Sequence, residues 1–463
     1  MLYPQDTRQF YRRALQIAVP IMVQNGISNF VSMLDNLMVG RIGTDPMSGV
    51  AIVNQLIFVW DLVFFGGLAG IAIFTAQFYG KGDQEGVRYT VRLQLMTVLI
   101  LLAAGFFVFL RFGTDLISLY LHADGGAGDV AATLRYAHSY LMVMLVGMVP
   151  LSLTHAYAMT LRSTGETMVP MRASLTAMAV NLVGNYILIY GKFGAPAMGV
   201  VGAALATVLS RFVEVAQILW HTHRHADRYP FVIGLYRSLY VPGGLVRSCL
   251  AKGTPLLLNE TLWSAAQAVL TRNYSLRGLS VVAAFNISQT VSNVFNVAFI
   301  SMGSAIAIII GQELGTGKTE VVKRDAGRLT ILSLLLCVVS GAGLFAISGL
   351  FPRIYNTSPE IREMAAGLIR IAALCMVMYG YENCSYFIIR SGGKTLITFL
   401  FDSCFHWAVS IPLSYFLVRY TGMPILPLYL TVQLAELIKC GIGFFLVRKG
   451  VWINDITDYQ GHN

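Results

Sequence analysis

The stretch "LQLMTVLILLAAGFFVFL" (residues 93–110) contains no charged side chain. Similar apolar blocks recur along the chain, for example "LTILSLLLCVVSGAGLFAI" (residues 329–347). An apolar segment of about 18 residues or more is the pattern of a transmembrane helix. An outer-membrane barrel would instead need short segments of alternating polarity. The blocks therefore predict an all-α integral membrane protein.

The overall composition favours the same class. Of the 463 residues, 56% are hydrophobic and only 12% are charged, whereas a soluble domain averages about 25% charged residues. The six cysteines form no CxxC pair, so we interpret them as buried small hydrophobes rather than metal ligands. We expect no cofactor. The net charge of +10 would suit a nucleic acid, but the positions of the charges indicate membrane topology instead, and we expect no such partner.

Twelve apolar segments are long enough to span a bilayer. They lie at residues 14–39, 47–79, 88–111, 131–161, 168–191, 197–221, 246–276, 279–314, 324–349, 360–390, 394–419 and 424–448. Basic residues are concentrated in alternate connections, and the positive-inside rule places those connections in the cytoplasm. Both termini and the linker at residues 223–245 are then cytoplasmic. The polar, basic start of the chain is not followed by a cleavage signal, so we expect the first helix to be retained.

The second half of the chain repeats the first. "AVPIMVQN" (18–25) resembles "GTPLLLNE" (253–260), and "TAQFYGKGD" (75–83) resembles "IGQELGTGK" (310–318). "LRSTGET" (161–167) likewise resembles "IRSGGKT" (389–395), in the same order. Six helices therefore recur with the same orientation, as in some secondary transporters. We predict an N-terminal lobe (1–222), a cytoplasmic linker (223–245) and a C-terminal lobe (246–463).

Motifs for nucleotide-driven transport or hydrolysis are missing from the sequence. It contains no GxxxxGK[ST] loop and no HExxH pair. "GQELGTGKT" (311–319) has the wrong spacing for the former and ends a predicted membrane helix. We expect a protein that is not an enzyme.

Four stretches together resemble one transporter family. They are "LDNLMVGRIG" (34–43), "FTAQFYGKGD" (74–83), "LRSTGET" (161–167) and "GKFGAPAMGVVGAALAT" (191–207). In this order they resemble the MATE family (multidrug and toxic compound extrusion), over about residues 10–450. The resemblance implies a V-shaped, rocker-switch pair of six-helix bundles. It also implies exchange of a proton or sodium ion for an organic, often cationic, compound across the inner membrane.

Asp35 is the principal candidate for the coupling ion. A carboxylate at bilayer depth costs a few kcal/mol, so it tends to be paired, protonated or functional. The resemblance aligns Asp35 with the ion-binding aspartate of the family, and Asn181 and Thr207 with further polar ligands. Asn185 stands where DinF-type members carry a second carboxylate. One carboxylate among neutral oxygens favours H+, and it leaves open Na+ bound by Asp35, Asn181 and Thr207.

A second set of residues is predicted to line a substrate cavity. Acids and aromatic rings suit an amphipathic cation, through charge pairing and cation–π contact. Glu260 and Glu382 lie near acids that NorM-type members use, although neither aligns residue for residue. Asp61 is interpreted either as a cavity residue or as a hydrogen-bonded packing residue. The full predicted set is Glu260, Glu382, Asp61, Trp60, Trp263, Asn286 and Gln289.

Three other pairs of charged residues are given a structural interpretation. Their spacing of three or four residues puts both members on one helix face. They are Asp402 with His406, Arg211 with Glu214, and Glu436 with Lys439.

The sequence therefore predicts a monomeric efflux antiporter whose partners are small organic compounds and membrane lipids. The alternative is a flippase for a lipid-linked saccharide or peptide precursor. A flippase would be expected to add spans or basic cavity residues, whereas the interior charges here are mostly acidic. A membrane scaffold without transport activity would have no use for unpaired intramembrane acids.

Overall fold

The computed structural model describes residues 6–121 and 129–458, and within them the chain forms twelve long α-helices and no strand. The all-α class and the twelve helices predicted from the sequence are confirmed. The helices are α1 (Thr7–Gly40), α2 (Thr44–Lys81), α3 (Gln84–Ser118), α4 (Val130–Ser163), α5 (Met168–Tyr190), α6 (Gly199–Arg224), α7 (Gly243–Ser275), α8 (Leu279–Gly315), α9 (Thr319–Ile347), α10 (Pro359–Ser391), α11 (Thr395–Tyr420) and α12 (Ile425–Lys449).

Ten of these helices are long and apolar enough to cross a membrane, counted over the described residues. The other two, α1 and α7, are equally long but more polar. They are the first helices of the two sequence repeats, and each contains an internal proline, Pro20 or Pro255. Their lower apolarity reflects side chains that they contribute to polar sites, as described below.

Most helices extend beyond the apolar segments that predicted them. Helix α1 begins at Thr7 rather than near residue 14, and α3 ends at Ser118 rather than near residue 111. Polar residues outside the apolar window supply the caps. The Asp83 side chain accepts a hydrogen bond from the Gly86 backbone N–H at 2.9 Å at the start of α3. The length of the apolar segment therefore underestimates the length of a helix that continues beyond the lipid.

Helix α11 departs from regular α geometry in its middle. Residues Leu400–Cys404 and His406–Ser410 form π-helical turns. Such turns are rare within α-helices and are frequent at functional sites, because they re-aim side chains. Here they lie where the helix carries Asp402 and His406.

The helices divide into two compact units. The N-terminal unit comprises the described residues of Val23–Thr75 and Asp83–Val246. In it, α4 packs against α3 and α6, and α5 packs against α6. The linker lies on α3, where the Arg92 guanidinium donates to the backbone carbonyls of Gly234, Leu235 and Tyr240 at 2.8, 2.9 and 3.1 Å. The linker is thus an ordered part of this unit.

The C-terminal unit comprises the described residues of Met1–Met22, Ala76–Gly82 and Arg247–Asn463. Helix α10 packs against α8, α9 and α12. The start of α1 contributes Phe10 and Ile21 to a core that also contains Trp452. The lobes predicted at residues 1–222 and 246–463 follow the sequence repeat, and that division stays a prediction.

The end of α2 and the end of α8 meet within the C-terminal unit in a reciprocal way. A methyl group added at Gly80 would lie 1.8 Å from the Gln312 carbonyl oxygen. One added at Gly315 would lie 2.0 Å from the Gln77 carbonyl oxygen. Gln77 and Gln312 are equivalent in the sequence repeat, as are Gly80 and Gly315. The contact therefore has the two-fold character that a parallel repeat predicts.

Candidate ion site and buried charge cluster

The N-terminal unit brings Asp35 together with the three polar residues that were predicted beside it. The Asn185 amide Nδ2 donates to Asp35 Oδ1 at 2.7 Å. Asn181 lies one turn earlier on α5, and Thr207 lies on α6. Asn181 and Asn185 are both buried, with 6% and 1% of their surface exposed. All three neighbours are neutral, so the charge of Asp35 depends on what it binds.

The Asn181 amide has two possible orientations relative to Asp35. With Nδ2 towards the carboxylate, it donates to both Asp35 oxygens at 3.0 and 3.1 Å, and its Oδ1 accepts from the Thr207 hydroxyl at 3.1 Å. With Oδ1 towards the carboxylate, Nδ2 instead donates to Thr207 Oγ1 at 3.1 Å. Two oxygens at 3.0 Å form a hydrogen bond only if one carries a proton. The first arrangement suits an ionised Asp35 and the second a protonated one.

Thr207 completes both arrangements. Its hydroxyl oxygen lies 3.0 Å from the Ala203 carbonyl oxygen, one turn earlier in α6. When Asn181 donates to Thr207, the hydroxyl proton is free to bond this carbonyl. When Asn181 turns round, the same proton points to Asn181 Oδ1 instead. Rotation of one amide and one hydroxyl therefore accommodates either charge of Asp35.

Asp61 lies in a separate polar group of the N-terminal unit. Its Oδ1 is 2.7 Å from His155 Nε2 of α4. Arg211 of α6 interacts electrostatically with both Asp61 and Glu214. The contact with His155 ties α2 to α4, which suits the packing interpretation of Asp61. Its role in a substrate cavity stays a prediction.

The C-terminal unit contains a buried cluster of charges centred on Lys439. The Lys439 ammonium lies 2.8 Å from Asp402 Oδ1, and 3.6 Å from both Glu382 Oε2 and Glu436 Oε2. His406 Nε2 lies 3.8 Å from Glu436 Oε1. We call these five residues the Lys439 cluster. Lys439, Glu436, His406 and Glu382 are 4–8% exposed.

Helix α7 orients the cluster through Asn259. The Asn259 amide donates to Asp402 Oδ2 at 3.1 Å, and its Oδ1 accepts from the Ser403 hydroxyl at 2.7 Å. The Ser403 backbone N–H also points to this Oδ1, at 3.3 Å. A backbone N–H in the middle of a helix reaches another helix because the π-helical turn frees it from its usual partner.

The remaining residues of the predicted cavity set belong to neither site, although Glu260 interacts with the Lys439 cluster. Glu260 is half-buried and interacts electrostatically with Arg390 and Asp402. Trp60 packs edge-on against Phe64 and Phe109. Three predicted cavity residues are exposed on the surface of the C-terminal unit: Trp263, Asn286 and Gln289.

Sequence reasoning missed the Lys439 cluster as a unit. It paired Asp402 with His406 and Glu436 with Lys439 along their own helices. The shortest ion pair instead joins Asp402 of α11 to Lys439 of α12. The available signal was the presence of two charged pairs on consecutive membrane helices, because charges at that depth face one another rather than lipid.

The fold and these buried polar sites define a class: a multi-pass helical membrane protein built from a parallel repeat. The model of the MatE family matches residues 20–187 and 255–416. The chain therefore belongs to the MatE family, and it is a membrane transporter rather than an enzyme. This confirms the resemblance drawn from the sequence.

Individual relatives are distant but cover nearly the whole chain. "Probable multidrug resistance protein NorM" of Thermotoga maritima is 24% identical over 452 residues, which cover 97% of this chain and 94% of the relative. "Multidrug resistance protein MdtK" of Photorhabdus laumondii is 23% identical over 414 residues, covering 88% of this chain and 87% of the relative.

Solved structures share the fold over a similar range. An outward-facing multidrug resistance MATE family transporter of the MOP superfamily superimposes with a TM-score of 0.84 at 17% identity, covering 97% of both chains. A MOP superfamily transporter from Pyrococcus furiosus, described as having a binding pocket of reverse polarity, gives a TM-score of 0.81 at 18% identity and covers 95% of both chains.

Proposed function

We propose that this protein is a secondary active multidrug efflux antiporter that exports organic, cationic and amphipathic compounds in exchange for H+ or Na+. The observation that carries the proposal is Asp35. It is a carboxylate on a long helix whose hydrogen-bond partners in the described structure, Asn181 and Asn185, are neutral amides. Its charge is therefore set by the ion it binds and not by a neighbouring side chain.

Asp35 meets the physical requirement for coupling. An ion shifts a conformational equilibrium only by its different affinity for the two states. The Asn181 amide, which also pairs with the Thr207 hydroxyl in either orientation, bonds Asp35 whether the carboxyl is ionised or protonated, so neither form leaves an unpaired buried group. Release of the ion leaves a carboxylate that accepts hydrogen bonds from the amides of Asn181 and Asn185. Small movements of α5 and α6 against α1 would then change the affinity for the ion.

The choice of ion follows from the number of carboxylates. A single carboxylate is neutralised fully by one proton. Sodium prefers several oxygen ligands, which Asp35, Asn181 Oδ1 and Thr207 Oγ1 would supply. Because only one of these oxygens carries a charge, we favour H+ over Na+.

The cavity that holds the exported compound is proposed to include Glu260, Glu382, Asp61 and the rings of Trp60 and Trp263, with Asn286 and Gln289. Acidic groups near the compound would pair with its positive charge, and rings would supply cation–π contact. Glu260→Gln should weaken export of a cationic dye while sparing a neutral one. An equal loss for both compounds would count against charge pairing.

We place the protein in the inner membrane as a monomer with both termini in the cytoplasm. The excess of Lys and Arg in the connections on that side supports the orientation of the termini. A small tag fused at residue 1 or 463 should resist an impermeant labelling reagent in intact cells. Labelling without permeabilisation would contradict this orientation.

The experiment that tests the function is efflux from vesicles that contain the purified protein. A fluorescent organic cation is loaded, and a proton gradient or a sodium gradient is imposed separately. Efflux that follows the proton gradient is expected. Efflux that follows sodium alone would move the assignment to Na+. Loss of dependence on both gradients would overturn the antiporter and favour a flippase for a lipid-linked precursor, to be tested with such a lipid.

A further inference from the structure

The Lys439 cluster contains more acid than base. Three carboxyl groups, those of Glu382, Asp402 and Glu436, lie within 3.6 Å of a single ammonium. If all three were ionised, Lys439 would balance only one of them. An excess of buried negative charge is costly, because the low dielectric of the interior screens it weakly. The cluster is therefore expected to hold additional positive charge.

The hydrogen bonds of His406 indicate where the cluster can hold an additional proton. His406 Nδ1 lies 2.9 Å from the Asp402 backbone carbonyl oxygen, so Nδ1 must be the donor. In a neutral imidazole the other nitrogen, Nε2, then has no proton and presents a lone pair. This Nε2 faces Glu436 Oε1 at 3.8 Å. A lone pair that faces a buried carboxylate is unfavourable, and a proton on either group removes the conflict.

Glu436 has room for such a proton. Its Oε1 accepts a hydrogen bond from the Ser410 hydroxyl at 2.6 Å. Its Oε2 is buried and has no hydrogen-bond partner among the described residues. This oxygen points towards Lys439 at 3.6 Å, beyond hydrogen-bond distance. A buried carboxylate oxygen without a donor is expensive if ionised, and protonation of the group removes that charge.

Ionisable groups from several helices surround His406 and Glu436. Asp402 accepts hydrogen bonds from Lys439 at 2.8 Å and from the Asn259 amide at 3.1 Å. The other groups are Tyr274 and Glu260 of α7, Glu382 and Arg390 of α10, and Cys440 of α12. Lys439 is the nearest cation to Glu436, but it lies closer to Asp402, at 2.8 Å against 3.6 Å, so it compensates Glu436 only in part.

We propose that His406 and Glu436 form a second proton-binding site, in which Lys439 is a fixed counter-charge and one proton is held by either His406 Nε2 or Glu436. On release, the proton leaves to water. The pair then becomes a neutral imidazole facing a carboxylate, which the Ser410 hydroxyl supports. Exchange of this proton during transport rests on the proposed antiport function, whereas binding of the proton does not.

Infrared difference spectroscopy tests the site directly. The purified protein in lipid is titrated over about pH 5 to 8, the range in which a histidine normally changes charge. The titration uses an Asp35→Asn background, so that the first site is silent. We expect a protonated-carboxyl band and an imidazole signal that change together with pH. Glu436→Gln should remove the carboxyl band, and His406→Gln should remove the imidazole signal and shift the midpoint of the band.

A matched control and a milder variant keep the test decisive. Glu320→Gln removes an exposed acid of α9 and should change neither signal. Ser410→Ala removes only the donor to Glu436, so the carboxyl should keep its proton to a higher pH. If the two core variants fail to fold, this shift alone tests the assignment. A carboxyl band that is unchanged by Ser410→Ala and Glu436→Gln would overturn the proposal.

The result can be separated from the fate of the proposed function. The titration needs neither substrate nor gradient. If the pair titrates but the protein shows no gradient-driven efflux, the proton-binding site stands and the proposed antiport function is rejected. When efflux is present, the number of protons exchanged per dye molecule should fall from two in the parent protein to one in the double variant His406→Gln, Glu436→Gln. An unchanged proton count would overturn the role of the pair in transport.

Discussion

The Asp35 site and the Lys439 cluster stabilise buried carboxyl groups by different means, neutral amides in the first and a charged lysine in the second. Asp35 is bonded to the amides of Asn181 and Asn185. In the cluster, three carboxylates surround a lysine that is 4% exposed. Neutral partners bond a carboxyl group in either protonation state, whereas a fixed ammonium favours the ionised form alone. The first arrangement suits a group that changes charge, and the second holds most of its charge constant.

The sequence repeat sharpens the contrast. Arg162 in "LRSTGET" (161–167) is equivalent to Arg390 in "IRSGGKT" (389–395). At the same interval along the chain, Arg211 of α6 is equivalent to Lys439 of α12. Both halves thus keep two basic residues at matching positions. What differs is the acid: α1 carries Asp35, whereas the equivalent position of α7 is the apolar Leu270. The two halves have therefore diverged in where the titratable group lies.

The largest effect is expected when the fixed charge is removed from the cluster. Lys439→Met would leave Asp402, Glu382 and Glu436 buried without the ammonium that they share. Loss of one partner from a buried ion pair costs about 3–5 kcal/mol of folding free energy. Thermal unfolding of the purified protein should show a large fall in stability. Lys439→Arg keeps the charge and serves as the control; equal stability of Lys439→Met and the parent protein would contradict the fixed-charge account.

A second carboxylate at the Asp35 site should make it resemble the Lys439 cluster, which contains several acids. Asn185→Asp places an acid where Nδ2 now lies 2.7 Å from Asp35 Oδ1. Two carboxylates attract Na+ more strongly, so we expect the sodium concentration that half-stimulates efflux to fall about tenfold, as added attraction of about 1.4 kcal/mol gives. Asn185→Ser removes the amide without adding charge and should show no such gain. The idea fails if both variants respond to sodium alike.

The smallest effect is expected at Thr207. Thr207→Val keeps the shape but removes the hydroxyl that bonds Asn181 at 3.1 Å. A hydrogen bond of this kind contributes about 1 kcal/mol, which is about a factor of 5 in an equilibrium. The midpoint of the dependence of efflux on pH should shift by less than one pH unit, and Thr207→Ser should restore it. A complete loss of efflux in Thr207→Val would mean that the hydroxyl is a required ligand instead.

Periodicity and apolar length predicted the helices well because lipid imposes a strong constraint on both. They could not predict the ends, as α1 shows, because polar residues such as Arg13 continue a helix after the lipid ends. The Arg13 guanidinium donates to Gln312 Oε1 at 2.7 Å, a contact between distant parts of the chain. Tertiary contacts of this kind leave no local signal in the sequence.

The two polar sites differ in how far they could be predicted. Asp35, Asn181, Asn185 and Thr207 were found because the family resemblance gave their positions, and the structure brings them together. The Lys439 cluster was missed because its decisive contacts run between helices. Spacing within α11 pairs Asp402 with His406, yet their side-chain atoms Oδ1 and Nδ1 are 3.9 Å apart. The π-helical turns that aim Asp402 at Lys439 cannot be inferred from helix periodicity.

The most direct test of the central claim is gradient-driven efflux by the Asp35→Asn protein, with binding of the same dye measured in parallel. Asparagine resembles the protonated acid in shape and charge, so the protein should fold and bind the dye within a few-fold of the parent. Because its charge cannot change, efflux driven by a proton or sodium gradient should fall to the level of empty vesicles. Efflux at the parent rate would show that Asp35 is a packing residue bonded to α5, and would contradict its role as the coupling site.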